Sequence, residues 1–148
     1  RRFTFIETPP NLEVLADITV EGVSIRRLLE TINNRIELIY DREHRIGHSY
    51  FLPLKEEPTI EKLASIFSNQ IVPLLEEYFF DDWSRIQQVL RIAGKEYSHF
   101  VEPKFSNIQA QEILGDQADQ AGVVYQKAFS AMLDPAAYIS LYEAGIAE

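Results

Sequence analysis

Apolar residues recur at helical spacing in two segments of this chain, and these segments give the clearest structural prediction. In the first, isoleucine or leucine returns every three or four residues after Ser24, and polar residues fill the positions between. The spacing predicts a helix over residues 24–40, with Ser24 as its N-cap. Arg35 falls outside the stripe and is assigned to the wetter faces. The stripe consists of Ile25, Leu28, Leu29, Ile32, Ile36 and Ile39.

The second periodic segment follows Pro58 and predicts a helix that begins near Thr59. Pro73 lies inside this segment and should kink or divide the helix, because proline has no backbone N–H. Asp81 and Asp82 then predict the cap of a third helix, which is expected to end at Gly94. The apolar stripe of the second segment consists of Ile60, Leu63, Ala64, Phe67, Ile71, Leu74, Leu75 and Tyr78.

The flanking regions carry weaker patterns. Residues 3–6 alternate like a short strand, and residues 11–23 form an irregular connector. After Lys95 the pattern predicts a loop with a short strand, a helix over 119–133, and a last helix that begins at Asp134-Pro135 and ends before Gly145. The predicted fold is mainly α: a helical bundle with one short N-terminal strand and a C-terminal helical extension.

Composition narrows the class of protein. With 46% hydrophobic and 11% aromatic residues, the 148-residue chain can build a substantial core. The sequence has no cysteine, which excludes disulfides and thiolate chemistry, and no apolar run long enough to span a membrane. A cytoplasmic location is therefore expected. The net charge of −9 argues against direct DNA binding. Because the chain starts within a strand-like pattern and without methionine, we expect it to be part of a longer protein.

A dense polar cluster at residues 42–54 offers the main candidate chemistry. It could simply shape a surface turn between helices. His44, His48 and Glu43 could contribute to a metal site, but no clear third ligand accompanies the histidines. Ser49 does not lie in a Gly-x-Ser-x-Gly elbow, which disfavours a hydrolase.

A group of four carboxylates lies near the end of the second helical segment. Two of them fall outside the apolar stripe, and the other two occupy a helix-cap position, so we assign all four to structural roles. The four residues are Glu76, Glu77, Asp81 and Asp82.

Three stretches of the sequence together resemble the C-terminal part of the McrB-type AAA+ NTPases, a family that couples nucleotide hydrolysis to DNA restriction. They are Arg1-Arg2-Phe3, Arg45-Ile-Gly-His-Ser-Tyr-Phe51, and residues 71–82. The resemblance covers roughly residues 1–92. It implies that residues 1–10 end an AAA+ core, that 11–94 form a helical lid, and that 95–148 are an extension of unknown role.

The resemblance also implies roles for individual residues. Arg45, His48 and Ser49 would bind nucleotide, and Arg1 or Arg2 would act as an arginine finger on a neighbouring subunit's nucleotide. The parent protein would use ATP or GTP with Mg²⁺. The fragment lacks the phosphate-binding loop, so alone it would bind no cofactor and be inactive.

The partners implied by the resemblance are the protein's own AAA+ core, neighbouring subunits of a ring and a nuclease, with DNA contacted only indirectly and no membrane. A lid separated from its core should also self-associate. The alternative is a helical protein-interaction module that has no nucleotide role, in which residues 42–51 only shape a turn.

Overall fold

A computed structural model describes residues 11–80, 82–95, 98–104, 107–116 and 125–143. The predicted strand at 3–6, the two N-terminal arginines and Asp81 lie outside these ranges. Fifteen short elements are arranged along the described chain, and most of them are helical. The mainly α prediction is confirmed.

A small hairpin leads into the first long helix. Strands β1 (Thr19–Val20) and β2 (Val23–Ser24) pair antiparallel across a two-residue turn. Both turn residues have positive φ, 49° at Glu21 and 90° at Gly22, as tight hairpin turns require. The region predicted to be an irregular connector therefore contains this hairpin, and before it a 3₁₀ turn, Leu12–Leu15.

Helix α1 (Ile25–Ile39) agrees with its sequence prediction. The Ser24 hydroxyl accepts a hydrogen bond from the Arg27 backbone N–H at 3.3 Å, which caps the helix as expected. Most of the predicted apolar stripe is fully buried. Helix α1 packs against helices at both ends of the chain and is the central element of the fold.

The second predicted helix is divided, and Pro73 explains the division. Helix α2 (Ile60–Ile66) passes through one π-helical turn (Phe67–Ile71) into α3 (Val72–Tyr78). In the π register the Val72 N–H bonds to the Phe67 carbonyl, so the next carbonyl, that of Ser68, would need an N–H from Pro73. The Lys127 ammonium donates to the Ser68 carbonyl instead, at 2.8 Å.

Helix α4 (Trp83–Val89) is capped by Asp82, whose side chain accepts from the Ser84 backbone N–H at 3.1 Å. The predicted stop at Gly94 is wrong. The helix ends at Val89, and Gly94 lies in a later turn with φ of 81°. Arg35 donates to the carbonyls of Val89, the last residue of α4, and Arg91, and so fastens the end of the helix and the segment after it to α1.

The C-terminal region contains two strands, and one of them contradicts the sequence prediction. Strand β3 (Val101–Pro103) pairs antiparallel with β4 (Tyr125–Lys127), and α5 (Asn107–Leu114) lies between them in sequence. The helix predicted over 119–133 is therefore wrong at 125–127, and among its described residues only α6 (Phe129–Met132) is helical. Residues 119–124 lie outside the described ranges. Strand pairing between residues 22 to 26 positions apart in sequence overrides the local pattern.

The last helix, α7 (Pro135–Tyr142), agrees with its prediction. Asp134 accepts from the Ala136 backbone N–H at 3.0 Å, and Pro135 occupies the first helical position. This helix packs against α1, and the fully buried Tyr138 ring lies 5.0 Å from Phe67 and 4.9 Å from Phe100, measured between centroids. One continuous apolar cluster thus includes residues from Leu15 to Leu141.

Candidate functional site

The backbone around Ile46 is fixed to helix α1 by the buried side chain of Asn33. The Asn33 amide N–H donates to the Ile46 carbonyl at 3.0 Å, and the Ile46 N–H donates to the Asn33 amide oxygen at 2.6 Å. Ile46 itself is fully buried. Two hydrogen bonds to the backbone N–H and carbonyl of one residue, together with an apolar anchor, set the position of the residues on either side, Arg45 and Gly47.

Two 3₁₀ segments flank this anchored peptide. The first, Arg42–His44, is capped by Asp41, and the second, His48–Lys55, begins directly after Gly47. His48 and Ser49 are the first two residues of the second segment, and Arg45 lies between the two segments. Their assignment to nucleotide remains a prediction.

His48 is oriented by the N-terminal end of the described chain. Its Nδ1 accepts a hydrogen bond from the Asn11 backbone N–H at 3.0 Å. Since a nitrogen that accepts such a bond carries no proton, the proton of the neutral ring is on Nε2. The side chain is half-buried, and its Nε2–H is a donor that an anionic or carbonyl group could accept.

Arg45 and Ser49 differ in their surroundings. The Arg45 Nε donates to the Arg42 carbonyl at 2.7 Å, and the side chain is half-buried. Arg45 also lines a small surface depression of about 120 Å³ beside Glu30 and Glu37. Ser49 is exposed. Arg45 therefore brings positive charge to a surface that also carries the Glu30 and Glu37 carboxylates.

His44 belongs to a different environment, an aromatic cluster that it forms with Tyr40 and Tyr78. Its Nδ1 lies 2.6 Å from an Asp41 carboxylate oxygen, and its ring stacks on Tyr40 at 4.1 Å. It also meets Tyr78 edge-to-face at 4.9 Å, and burial, with smaller effects of nearby acidic groups, raises the pKa of Tyr78 to about 12. His44 and His48 thus have separate partners. No group of three potential metal ligands is found within the described ranges.

Arg35 occupies a more structural position than the sequence indicated. It was predicted to lie on a wet face of the helix. Instead its half-buried guanidinium donates to the carbonyls of Val89, Arg91 and Leu141 at 2.9, 2.7 and 2.9 Å. These bonds fasten the segment after α4 and the end of α7 to α1.

Sequence reasoning missed two residues that shape the candidate site, Asn33 and Asn11. The burial of Asn33 could have been predicted from its position. It lies four residues after Leu29 and three before Ile36, on the face of the helix that carries the apolar stripe. A buried amide needs partners for its hydrogen-bonding groups, and a nearby loop commonly provides them. Asn11 acts through its backbone, so its side-chain type gave no signal.

No helix in the described part of the chain has the length and apolar character needed to cross a membrane. Of the four carboxylates that were assigned structural roles, Asp82 caps α4 as predicted. Glu76 is half-buried, Glu77 is exposed, and Asp81 lies outside the described ranges.

Comparison with known proteins gives two matches. The family model described as McrB, alpha-helical lid domain, matches residues 24–87. A curated relative, the Type IV methyl-directed restriction enzyme EcoKMcrB subunit of Escherichia coli (strain K12), is 34% identical over 97 residues. This alignment covers 55% of the chain but 21% of the relative, so the chain spans about a fifth of the length of the protein it matches.

Proposed function

We propose that this chain closes over the nucleotide of a McrB-like AAA+ NTPase, because residues 24–87 match the alpha-helical lid domain of McrB. The lid would sense the bound nucleotide, contact neighbouring subunits of a ring and couple ATP or GTP hydrolysis to DNA restriction or translocation. A nuclease partner would cut the DNA. The fragment itself would be inactive.

The observation that carries this proposal is the anchored loop at Ile46. Asn33 fixes the loop on the central helix, and the loop presents Arg45 on one side and His48 on the other. A lid that senses nucleotide needs donors held in place before the ligand arrives, because pre-ordered donors lose less entropy on binding.

The chemistry of these donors fits a phosphate group. Arg45 provides a guanidinium, which pairs well with phosphate oxygens, and His48 provides an Nε2–H donor whose tautomer Asn11 fixes. Ser49, exposed at the start of the following 3₁₀ segment, could add a hydroxyl donor. The nucleotide would supply the reacting phosphate, and Mg²⁺ would supply the charge that activates this phosphate. Both would be held mainly by the core of the parent protein.

ATP and GTP turnover by the complete parent protein tests the proposal. We expect Arg45→Ala and His48→Asn each to lower kcat/KM by about tenfold or more. The asparagine is chosen because its amide oxygen can replace Nδ1 as the acceptor for Asn11 while the Nε2–H donor is lost. Arg26→Ala, an exposed arginine on α1 that pairs with Glu13 at 3.4 Å, is the matched control and should leave turnover unchanged.

The possible results separate the parts of the proposal. If turnover is present but neither variant changes it, the motor function stands and the assignment of the nucleotide site to Arg45 and His48 is wrong. If neither nucleotide is hydrolysed with DNA and partner supplied, the chain is better described as a helical interaction module. The arginine finger at Arg1 or Arg2 is tested separately, by mixing wild-type subunits with subunits that carry alanine there.

A further inference from the structure

A groove runs along the surface between α1 and the segment that follows α4, away from the candidate nucleotide site. Its volume is about 430 Å³. It is lined by residues from the C-terminal half of α1, from the end of α4 and from the segment that follows α4. Its lining includes Arg35, Leu38, Ile39, Gln88, Arg91 and Ala93.

The groove carries positive charge that no described carboxylate balances. Arg35 gives its hydrogen bonds to three neutral carbonyls, and the Arg91 side chain makes no hydrogen bond or ion pair to a residue in the described ranges. Burial, and then the charge of Arg91, lower the pKa of Arg35 to about 10. Two uncompensated arginines thus face one groove in a chain whose net charge is −9.

The same groove exposes apolar surface. Leu38 is 86% exposed, although it lies on the central helix of the fold, and Ile39 beside it is half-buried. Leu38 and Ile39 both line the groove, and an apolar side chain of a partner would remove their exposed surface from water. The groove therefore combines a cationic part with an apolar part at adjacent positions.

We propose that this groove binds an acidic, amphipathic segment of a partner protein. A carboxylate of that segment pairs with Arg91 and is also attracted by the nearby charge of Arg35. An apolar side chain next to that carboxylate covers Leu38 and Ile39. Charge complementarity selects the occupant: an acidic side chain relieves the repulsion between the two arginines. Nucleic acid fits less well, because the rest of the chain is acidic and the groove walls are largely apolar.

Fluorescence anisotropy with a labelled peptide of about four helical turns tests the proposal. The probe is a leucine and glutamate amphipathic helix, compared with the same peptide carrying glutamine or lysine in place of glutamate. We expect the glutamate peptide to bind the 148-residue chain most tightly. Arg91→Ala should weaken that binding by about tenfold, and Leu38→Ala by several-fold.

Two matched controls separate the groove from general surface effects. Arg26→Ala removes one positive charge, as Arg91→Ala does, but from a site on α1 outside the groove. Ile108→Ala removes an aliphatic side chain on α5 that is 71% exposed. Both should leave peptide binding unchanged. Far-UV circular dichroism confirms that every variant is folded, which we expect because neither the Arg91 nor the Leu38 side chain bonds to the described core.

Several results would overturn the proposal. Equal binding of the glutamate and glutamine peptides would remove the charge argument, as would unchanged binding by Arg91→Ala. Tighter binding of a labelled DNA oligonucleotide that depends on Arg91 would make the groove a nucleic-acid site. Dimerisation in sedimentation analysis that Arg91→Glu abolishes would identify a second copy as the occupant instead of a partner protein.

Discussion

At the scale of single residues, Asn33 determines the position of the candidate site. Its amide makes both hydrogen bonds to the Ile46 peptide, and it is 5% exposed. Asn33→Ala leaves a buried N–H and a buried carbonyl without partners. We expect the free energy of unfolding to fall by about 2–4 kcal/mol, measured by urea denaturation. The neighbouring and exposed Asn34→Ala is the control, with an expected change within about 0.5 kcal/mol. Equal effects of the two variants would contradict the role of Asn33.

Tyr78 gives a prediction about alkaline pH. Its pKa in the folded protein is about 12, chiefly because of burial, above the ordinary value of 10. Between these values the unfolded chain loses the phenolic proton while the folded chain keeps it. The stabilisation is therefore complete below pH 10 and is lost as pH rises toward 12. Urea titrations of wild type and Tyr78→Phe at pH 8 and pH 11 check this. The loss of stability on going to pH 11 should be smaller in the variant.

The residues also show where sequence patterns succeed and fail. Ser24, Asp82 and Asp134 were predicted as helix caps, and all three accept the capping hydrogen bond. Caps are local, so a few neighbouring residues specify them. Arg35 was misplaced because its three carbonyl partners are 54 to 106 residues away in sequence. No local pattern contains that information.

At the scale of elements, the π-helical turn before Pro73 links the divided helix to the C-terminal strand pair. The Ser68 carbonyl loses its helical donor, and Lys127 on β4 replaces it. Lys127→Met should lower the free energy of unfolding by about 1 kcal/mol, because a charged hydrogen bond to a half-buried carbonyl is lost. Lys55→Met, an exposed lysine at the end of a 3₁₀ segment, should change little.

A double-mutant cycle tests the cause of this link. Pro73→Ala restores a backbone N–H at position 73, which can bond to the helix again. In that background Lys127→Met should cost clearly less than in wild type, so the coupling free energy should differ from zero. Additive effects would show that Lys127 does not compensate for Pro73.

The sequence predicted the N-terminal elements better than the C-terminal ones. Helices α1 and α2 follow from long periodic stripes with local caps, and the break at Pro73 follows from its missing N–H. Strands β3 and β4 are three residues each and exist because they pair with each other across at least 21 intervening residues. Helix α5 was missed because its apolar residues do not form a stripe that packs on the core: Ile108, Ile113 and Leu114 are exposed. The site residues Arg45 and His48 were proposed from resemblance, and the loop geometry that orients them required the structure.

At the scale of the whole molecule, the apolar cluster does not stop at the end of the lid match. Phe67 of the lid contacts Phe100 and Tyr138, which lie beyond residue 87. The Tyr138 ring is fully buried, and its hydroxyl donates to the Met132 carbonyl at 2.7 Å. A side chain this central ties the stability of the C-terminal region to that of the lid, so we expect the described chain to unfold as one cooperative unit.

Tyr138→Ala tests this expectation, because the single tryptophan of the sequence, Trp83, lies in the lid on α4. The substitution should lower the free energy of unfolding by about 3–5 kcal/mol through lost burial and the cavity left among the rings. In one cooperative unit, the Trp83 fluorescence transition must shift in urea by the same amount as the far-UV circular dichroism transition. An unchanged Trp83 transition beside a shifted circular dichroism signal would mean that the C-terminal region unfolds separately and that the lid is stable without it.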